Sequence, residues 1–236
     1  MPLPSPQLED LLDTLEGPNA TARGVSIRAV QELGVVVGSY DPQVAANNRT
    51  ALQNCLDGMT RNGVRDAKLL LPSHEIFYAG GPLEATQKVG GSEIVGVGPI
   101  GYSLGSQDYG VGGIGGQGSV LTRIDCTGIP HSRDEVLILR GAGTSVRNVE
   151  LRGARMTTFG TFATTPSSCA LLIEGRSSPS SGKHLINGVH CSCAKAGVEF
   201  SGYYSGETWN ASNNHADHTL IDNIWFYFVD TPILVE

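Results

Sequence analysis

An all-β fold, a solenoid of stacked parallel strands fronted by two helices, is what this 236-residue sequence predicts, and three observations carry it. Helical periodicity stops near residue 60, and short β-type runs follow, set off by Gly, Ser, Thr, Asn and Pro. Two strand spellings then recur in strict alternation, while the segments between them vary in length. The composition agrees: 31 Gly with only 6% aromatic and 17% charged residues suits many turns rather than a charged helical bundle or a disordered chain. A chain of this length can bury roughly 70% of its unfolded surface, so a sizeable core is possible.

The first element is a helix over residues 5 to 17. Ser5 caps it, Pro6 suits its first turn, Leu8, Leu11, Leu12 and Leu15 form one stripe, and Gly17-Pro18 stops it. Glu9, Asp10, Asp13 and Glu16 fill the opposite face, so residues 1–23 read as a docking segment for another chain or as a lid on this chain's own core. Residues 24–66 form a lead-in and a second helix, about Asn48 to Met59, capped by Asn47 or Asn48. Ala51, Leu52, Cys55, Leu56 and Met59 lie on one side of it. Residues 67–236 hold the strand runs: Lys68–Leu71, Glu75–Tyr78, Ser92–Val97, Ser119–Asp125, Glu135–Leu139, Val146–Leu151, Ala170–Ile173, Leu185–Cys193, Val198–Phe200, Leu220–Phe228 and Ile233–Val235.

One spelling, Φ-x-x-Φ-x-Φ, gives Val146, Val149, Leu151, then Ile186, Val189, Cys191, then Ile221, Ile224, Phe226, at steps of 40 and 35 residues. The other, Φ-x-Φ-x-Gly, gives Leu137, Leu139, Gly141, then Leu171, Ile173, Gly175, then Val198, Phe200, Gly202, and finally Ile233 and Val235. Constant strands with variable loops are what a parallel solenoid requires, because each coil stacks on the preceding one and extrudes the rest at its corners. The last run aligns with the middle of a coil, so the sequence predicts either further chain or a partner at that end.

Three segments resemble the amino-terminal half of the pectate-lyase-like right-handed parallel β-helix proteins, particularly the branch found in bacteriophage tailspikes and tail fibres. Asn47-Asn48-Arg49-Thr50-Ala51-Leu52-Gln53-Asn54-Cys55-Leu56 is similar to that family's D-D-T-x-A-(L/I)-Q helix in its Thr, Ala, Leu and Gln. Leu71-Pro72 with Tyr78 resembles L-P-x-G-x-Y, and Ile94-Val95-Gly96-Val97-Gly98 resembles I-x-G-x-G. The sequence departs at Asn47-Asn48, where the family has an acidic pair, at His74, where it has Gly, and over Val35 to Ala46, which lacks G-D-G-x-x-D. The resemblance spans about residues 24 to 236. It implies a right-handed β-helix whose helix caps the open end, and it speaks to architecture rather than activity.

Function on such a fold belongs to outward positions and corner loops. The outward residues of the second spelling are Ile138, Leu172, Glu199 and Leu234. Its apolar members, Ile138, Leu172 and Leu234, form a stripe expected to be covered either by the chain's own loops or by symmetry mates, as in trimeric tailspikes. The outward residues of the first spelling are Glu150, His190 and Trp225, a stack with one carboxylate. Glycosidases hold two, at about 5–5.5 Å or about 6.5–9.5 Å apart. The most site-like segment runs from Tyr203 to His218. Tyr203, Tyr204 and Trp209 can stack on sugar rings, and Glu207, Asn210, His215 and Asp217 can bond hydroxyl groups, unless the segment is simply a cover for the solenoid.

Other chemistry finds little footing. His215, Asp217 and His218 match no metal-site spacing, and no clustered acidic set with a matched base suggests a calcium-dependent lyase. Gly110 to Gly118 spells a chance GxGxxG without a following helix, so no cofactor is expected. Five Cys without a CxxC pair read as buried thiols, with Cys191 and Cys193 on one face of a strand. A formal charge of −7 without a basic stripe argues against nucleic acid, no run is long enough to enter a membrane, and no export signal opens the chain. The leading expectation is a virion tail component assembled in host cytoplasm, homotrimeric, contacting host polysaccharide or other virion proteins. A polysaccharide lyase or glycoside hydrolase of the same fold, extracellular, and a purely structural baseplate or fibre-base protein are the alternatives.

Overall fold

A computed structural model of the chain describes residues 26–60, 66–87, 91–97, 119–125, 133–141, 143–153, 156–158, 161–162, 167–175, 181–202, 216–217 and 219–235. The helix expected over residues 5 to 17, the Gly110–Gly118 loop and Cys126 lie outside them. The fold is all-β and solenoid-like: a mostly parallel sheet curls around one apolar core, and a single helix among the described residues lies against its first strands.

Strand β1 (Ser26–Arg28) and helix α1 (Pro42–Met59) precede the coils. The first coil is β2 (Ala67–Leu70), β3 (Glu75–Tyr78) and β4 (Leu83–Gln87). The second is β5 (Ser92–Val95), β6 (Ser119–Arg123) and β7 (Leu137–Gly141). The third begins with β8 (Thr144–Arg152). It is interrupted by the small antiparallel pair β9 (Met156–Thr158) and β10 (Thr161–Phe162), and it ends with β11 (Ser167–Glu174). After β12 (Ser181–Gly182) comes the long β13 (Leu185–Ser201), and after β14 (Ala216–Asp217) comes β15 (Leu220–Val235).

The pairings sort these strands into three faces. On the first, Ile27, Leu69, Ile94, Val146, Ile186 and Ile221 form one inward row through successive parallel partners. On the second, Ile76, Leu121, Leu151, Cys191 and Phe226 do the same. On the third the row is Leu83, Leu137, Leu171, Val198 and Ile233. The alternation read from the sequence is therefore the register itself: Val149 faces Val189 and then Ile224, and Leu139 faces Ile173, Phe200 and Val235. Each fully buried Leu or Ile in these rows contributes roughly 1.5–3 kcal/mol of transfer free energy, which makes the rows the main source of stability.

Where the chain passes from the first face to the second it bends through a left-handed residue: Asn148 (φ 53°), Gly188 (φ 64°) and Asn223 (φ 56°) occupy equivalent places. Asn and Gly tolerate that conformation best, which explains their presence at the third place of Φ-x-x-Φ-x-Φ. A second bend, between the second and third faces, falls at Cys193 (φ 54°) and Phe228 (φ 52°). The runs expected separately at Leu185–Cys193 and Val198–Phe200 are thus one bent strand, as are Leu220–Phe228 and Ile233–Val235. The bend also breaks strand alternation, so Cys191 is fully buried while Cys193 is half-buried at a corner; the two do not share a face.

The helix starts earlier than expected. Asp41, not Asn47 or Asn48, is the cap: its carboxylate accepts from the backbone N–H groups of Gln43 and Val44 at 2.8 and 3.1 Å, and Pro42 begins the helix. Asn48 lies instead in the buried interior. Its amide donates to the carbonyls of Val36 (2.8 Å) and Phe77 (2.9 Å), and its oxygen accepts from Val36 N–H at 2.9 Å. Gln53 donates to Glu84 O and accepts from Glu84 N–H, both at 2.9 Å, while Leu52, Cys55, Leu56 and Met59 close the end of the core.

Candidate functional site

The outward side of the second face collects more chemistry than any other described surface. One row reads Glu75, Val120, Glu150, His190 and Trp225, and the row beside it reads Phe77, Thr122, Arg152, Ser192 and Tyr227. Alternation along short strands turns every member away from the core, and the Asn148, Gly188 and Asn223 bends hold consecutive coils in the same phase; Glu75, Phe77, Val120, Thr122, Glu150, Arg152 and Ser192 are nevertheless buried, and only His190, Trp225 and Tyr227 are half-exposed.

The expected trio Glu150, His190 and Trp225 does stack, but it has a second carboxylate in line. Glu75 stands two rungs from Glu150, roughly 9–10 Å at ~4.8 Å per rung. The expectation of a single carboxylate missed it because the first coil breaks into separate β2 and β3, so the register of Glu75 cannot be read from the repeat.

Geometry in the centre of the site is tight. Oε1 of Glu150 accepts from Arg152 Nε (3.2 Å), Arg152 Nη2 (3.0 Å) and Ser192 Oγ (2.7 Å). Burial opposes the charge on Arg152, but the nearby Glu150, Cys193 and Glu75 outweigh it and hold the guanidinium more firmly protonated. Burial lowers the His190 pKa, against the pull of Glu150 and with the help of Arg152, so the ring is neutral at pH 7. A neutral imidazole beside a carboxylate can accept a proton or donate a hydrogen bond. Toward β15 the row turns aromatic and more open: His190 meets Tyr227 edge-on at 6.3 Å, Tyr227 meets Phe228 at 4.3 Å, and Phe228 is exposed. Buried acid–base groups at one end and accessible aromatic faces at the other suit a polar ligand with flat apolar surfaces, such as a sugar ring.

On the third face, Glu84, Ile138, Leu172, Glu199 and Leu234 form the outward row. The apolar stripe is where the sequence puts it, yet it is not an open surface. Ile138 and Leu172 are 0% and 3% exposed and cluster with Cys169 and Ala196, and only Leu234 is half-exposed. The premise of an uncovered Ile138, Leu172 and Leu234 contact therefore fails for the first two. Beside the stripe lies an ion network. Arg140 bonds both Glu84 and Glu174, and Arg133 bonds Glu174 at 2.7 Å and Glu135 at 2.9 Å. Burial would raise the Glu174 pKa, but hydrogen bonds and charge from Arg140 and Arg133 hold it below the usual carboxylate range. Nothing in the sequence pattern announces this network, because its members meet only through the register.

Of the expected glycan-binding residues, Tyr203, Tyr204, Glu207, Trp209, Asn210 and His215 lie outside the described residues. Asp217 is at the edge of β14, its backbone paired with Gly182. Among the described residues no group of three or more His, Cys, Asp or Glu could hold a metal ion. The buried thiols behave as inert core groups, Cys55 being pushed up to about 12 by burial, with Glu32 adding to the shift. No helix among the described residues is long and apolar enough to cross a membrane. No family model, curated protein or solved structure matches the chain, so its likeness to the pectate-lyase-like proteins rests on the residues quoted above.

Proposed function

We propose that the chain is a right-handed parallel β-helix of the tailspike or tail-fibre kind, which binds a host-surface polysaccharide on the outward side of its second face. The single observation behind this reading is the in-register row Glu150, His190 and Trp225, flanked by Ser192 and Tyr227, which runs from hydrogen-bonding groups to aromatic faces along consecutive coils. A glycan would lie against the half-exposed His190, Trp225 and Tyr227, where successive rungs are ~4.8 Å apart, with the buried Glu150 behind them. The resemblance carried by the capping helix supports the same reading. Assembly as a homotrimer on a virion, with other virion proteins as neighbours, belongs to this proposal. With Ile138 and Leu172 already covered, the trimer contact would run over other surfaces, and light scattering would report it.

A second reading, a glycan-cleaving enzyme of the same fold, is favoured by Glu75 and Glu150. Their two-rung spacing is close to the about 6.5–9.5 Å of inverting glycosidases. Incubation with host capsule or lipopolysaccharide separates the two. Binding without new reducing ends or unsaturated uronates is the expected result, and loss of binding in Trp225→Ala with unchanged Tm places the glycan on this row. Release of reducing ends abolished by Glu150→Gln would establish the second reading, and absence of any binding would leave the purely structural role.

A further inference from the structure

On the second face two polar groups beside the same arginine are left over by the hydrogen bonds around them. The first is Oε2 of Glu150. Arg152 Nε, Arg152 Nη2 and Ser192 Oγ all donate to Oε1, at 3.2, 3.0 and 2.7 Å, and among the described residues none donates to Oε2. The second is Thr122. It lies in the row between Phe77 and Arg152, paired with each across the sheet, and is fully buried. Among the described residues nothing bonds to its Oγ1. A buried hydroxyl without a partner is destabilising, and such groups are normally answered by protein or by ordered water.

The surroundings restrict what could answer both groups. Glu75 stands one rung from Val120, and its charge reaches Arg152 two rungs away, which brings its carboxylate toward the rung of Val120 and Thr122. A cation at this place would meet the buried guanidinium of Arg152, and an anion would meet Glu75 and Glu150, with little water to screen either repulsion. The occupant is therefore neutral. It has to donate to Oε2, whereas a threonine hydroxyl can give or take a hydrogen bond, so an apolar molecule does not serve. With Thr122 at 0%, Glu150 at 6% and Glu75 at 9% exposure, it also has to be small.

We propose that a water molecule is bound in the second face between Thr122 Oγ1 and Glu150 Oε2. It donates one hydrogen to Oε2 and shares a second bond with Thr122, and Glu75 offers a further acceptor nearby; a buried water needs two to four such partners. Glu150 is then clamped on both oxygens, by Arg152 and Ser192 on one and by the water on the other, behind the half-exposed His190, Trp225 and Tyr227. The site rests on the hydrogen bonds and register of the second face and does not depend on glycan binding.

Thr122→Val tests it by the sign of its effect, because it exchanges the hydroxyl for a methyl group of the same shape on a strand that suits Val at least as well. Were the hydroxyl an orphan, the change would remove an unsatisfied polar group and raise the Tm. A hydroxyl that holds a water gives the opposite result, since the water loses a partner and Glu150 loses its hold on the water. The expected outcome is a Tm lowered by about 2–4 °C. A high-resolution crystal structure of the unaltered protein should show an ordered water within hydrogen-bond distance of both Thr122 Oγ1 and Glu150 Oε2. A raised or unchanged Tm in Thr122→Val would overturn the proposal. So would a crystal structure without that water, whatever the Tm of the variant.

Discussion

The two ends of the solenoid present the same inward pattern to different surroundings. At the α1 end every face has its outer edge answered. β1 pairs with β2 on the first face. Phe77 O on the second accepts from Asn48, while Glu75 O there accepts from Gly38 N–H, and Glu84 N–H and O on the third meet Gln53. Leu52, Cys55, Leu56 and Met59 then cover the core with 2% exposure or less. At the β15 end, Ile233 and Val235 continue the third-face rows but stand half or more exposed. Burial is thus a property of the neighbour, not of the residue: identical spelling gives core in one coil and surface in the next.

The largest contrast to test is apolar truncation at the two ends. Leu52→Ala should cost about 2–5 kcal/mol, because it leaves a cavity under a helix that cannot follow inward. Ile233→Ala should cost less than about 1 kcal/mol, since its side chain is already half in water. Equal losses in urea denaturation would erase the distinction between a closed and an open end.

Acid should weaken the body between the ends. His184 is 1% exposed, with Nδ1 3.2 Å from Thr144 O, and burial pushes its pKa down to about 4 from an ordinary 6.5, although hydrogen bonds to the Thr144 and Gly141 backbone oppose the shift. The unfolded chain therefore binds more protons between these values. Stability is complete above about pH 6.5 and falls as pH drops toward about 4, by up to about 3 kcal/mol. His184→Gln should flatten this limb of the Tm profile. The contribution of Glu174, whose pKa is lowered, is lost at still lower pH, as the carboxylate protonates.

Polar closure of the first coil gives smaller effects. Asn48→Ala strands the Val36 N–H and the Val36 and Phe77 carbonyls, and should cost about 2–3 kcal/mol by denaturant unfolding. Gln53→Ala removes the two bonds to Glu84 at a partly buried edge and should cost about 1–2 kcal/mol. An Asn48→Ala loss below that of Gln53→Ala would mean that water replaces the buried amide.

Legibility in the sequence followed coil regularity. Val146, Val149 and Leu151 could be aligned with Ile186, Val189 and Cys191 because β8 and β13 each cross from the first face to the second without an insertion. Leu83 and Ala85 of β4 alternate just as well, but the strand is short and follows Gly80-Gly81-Pro82, which reads as a turn. The signal overlooked was the Asn or Gly at the third place of the repeat: Asn148, Gly188 and Asn223 mark each bend. Glu75 escaped because the first coil breaks into β2 and β3, so the repeat does not carry its register, and Asn48 because a cap and a buried bridging amide share one residue type. Whether Ile138 and Leu172 are covered could not be read from the repeat, because they cluster with Cys169 and Ala196, positions that the Φ-x-Φ-x-Gly spelling does not include.

Amide hydrogen exchange tests the contrast between the ends most directly. β13 is paired on both edges and β15 on one among the described strands, so under native conditions the amides of Leu185–Ser201 should exchange only through near-global unfolding. Those of Leu220–Val235 should exchange through local opening, orders of magnitude faster. Protection of β15 equal to that of β13 in the isolated chain would contradict the account, because it would require a covering element that the described residues do not supply.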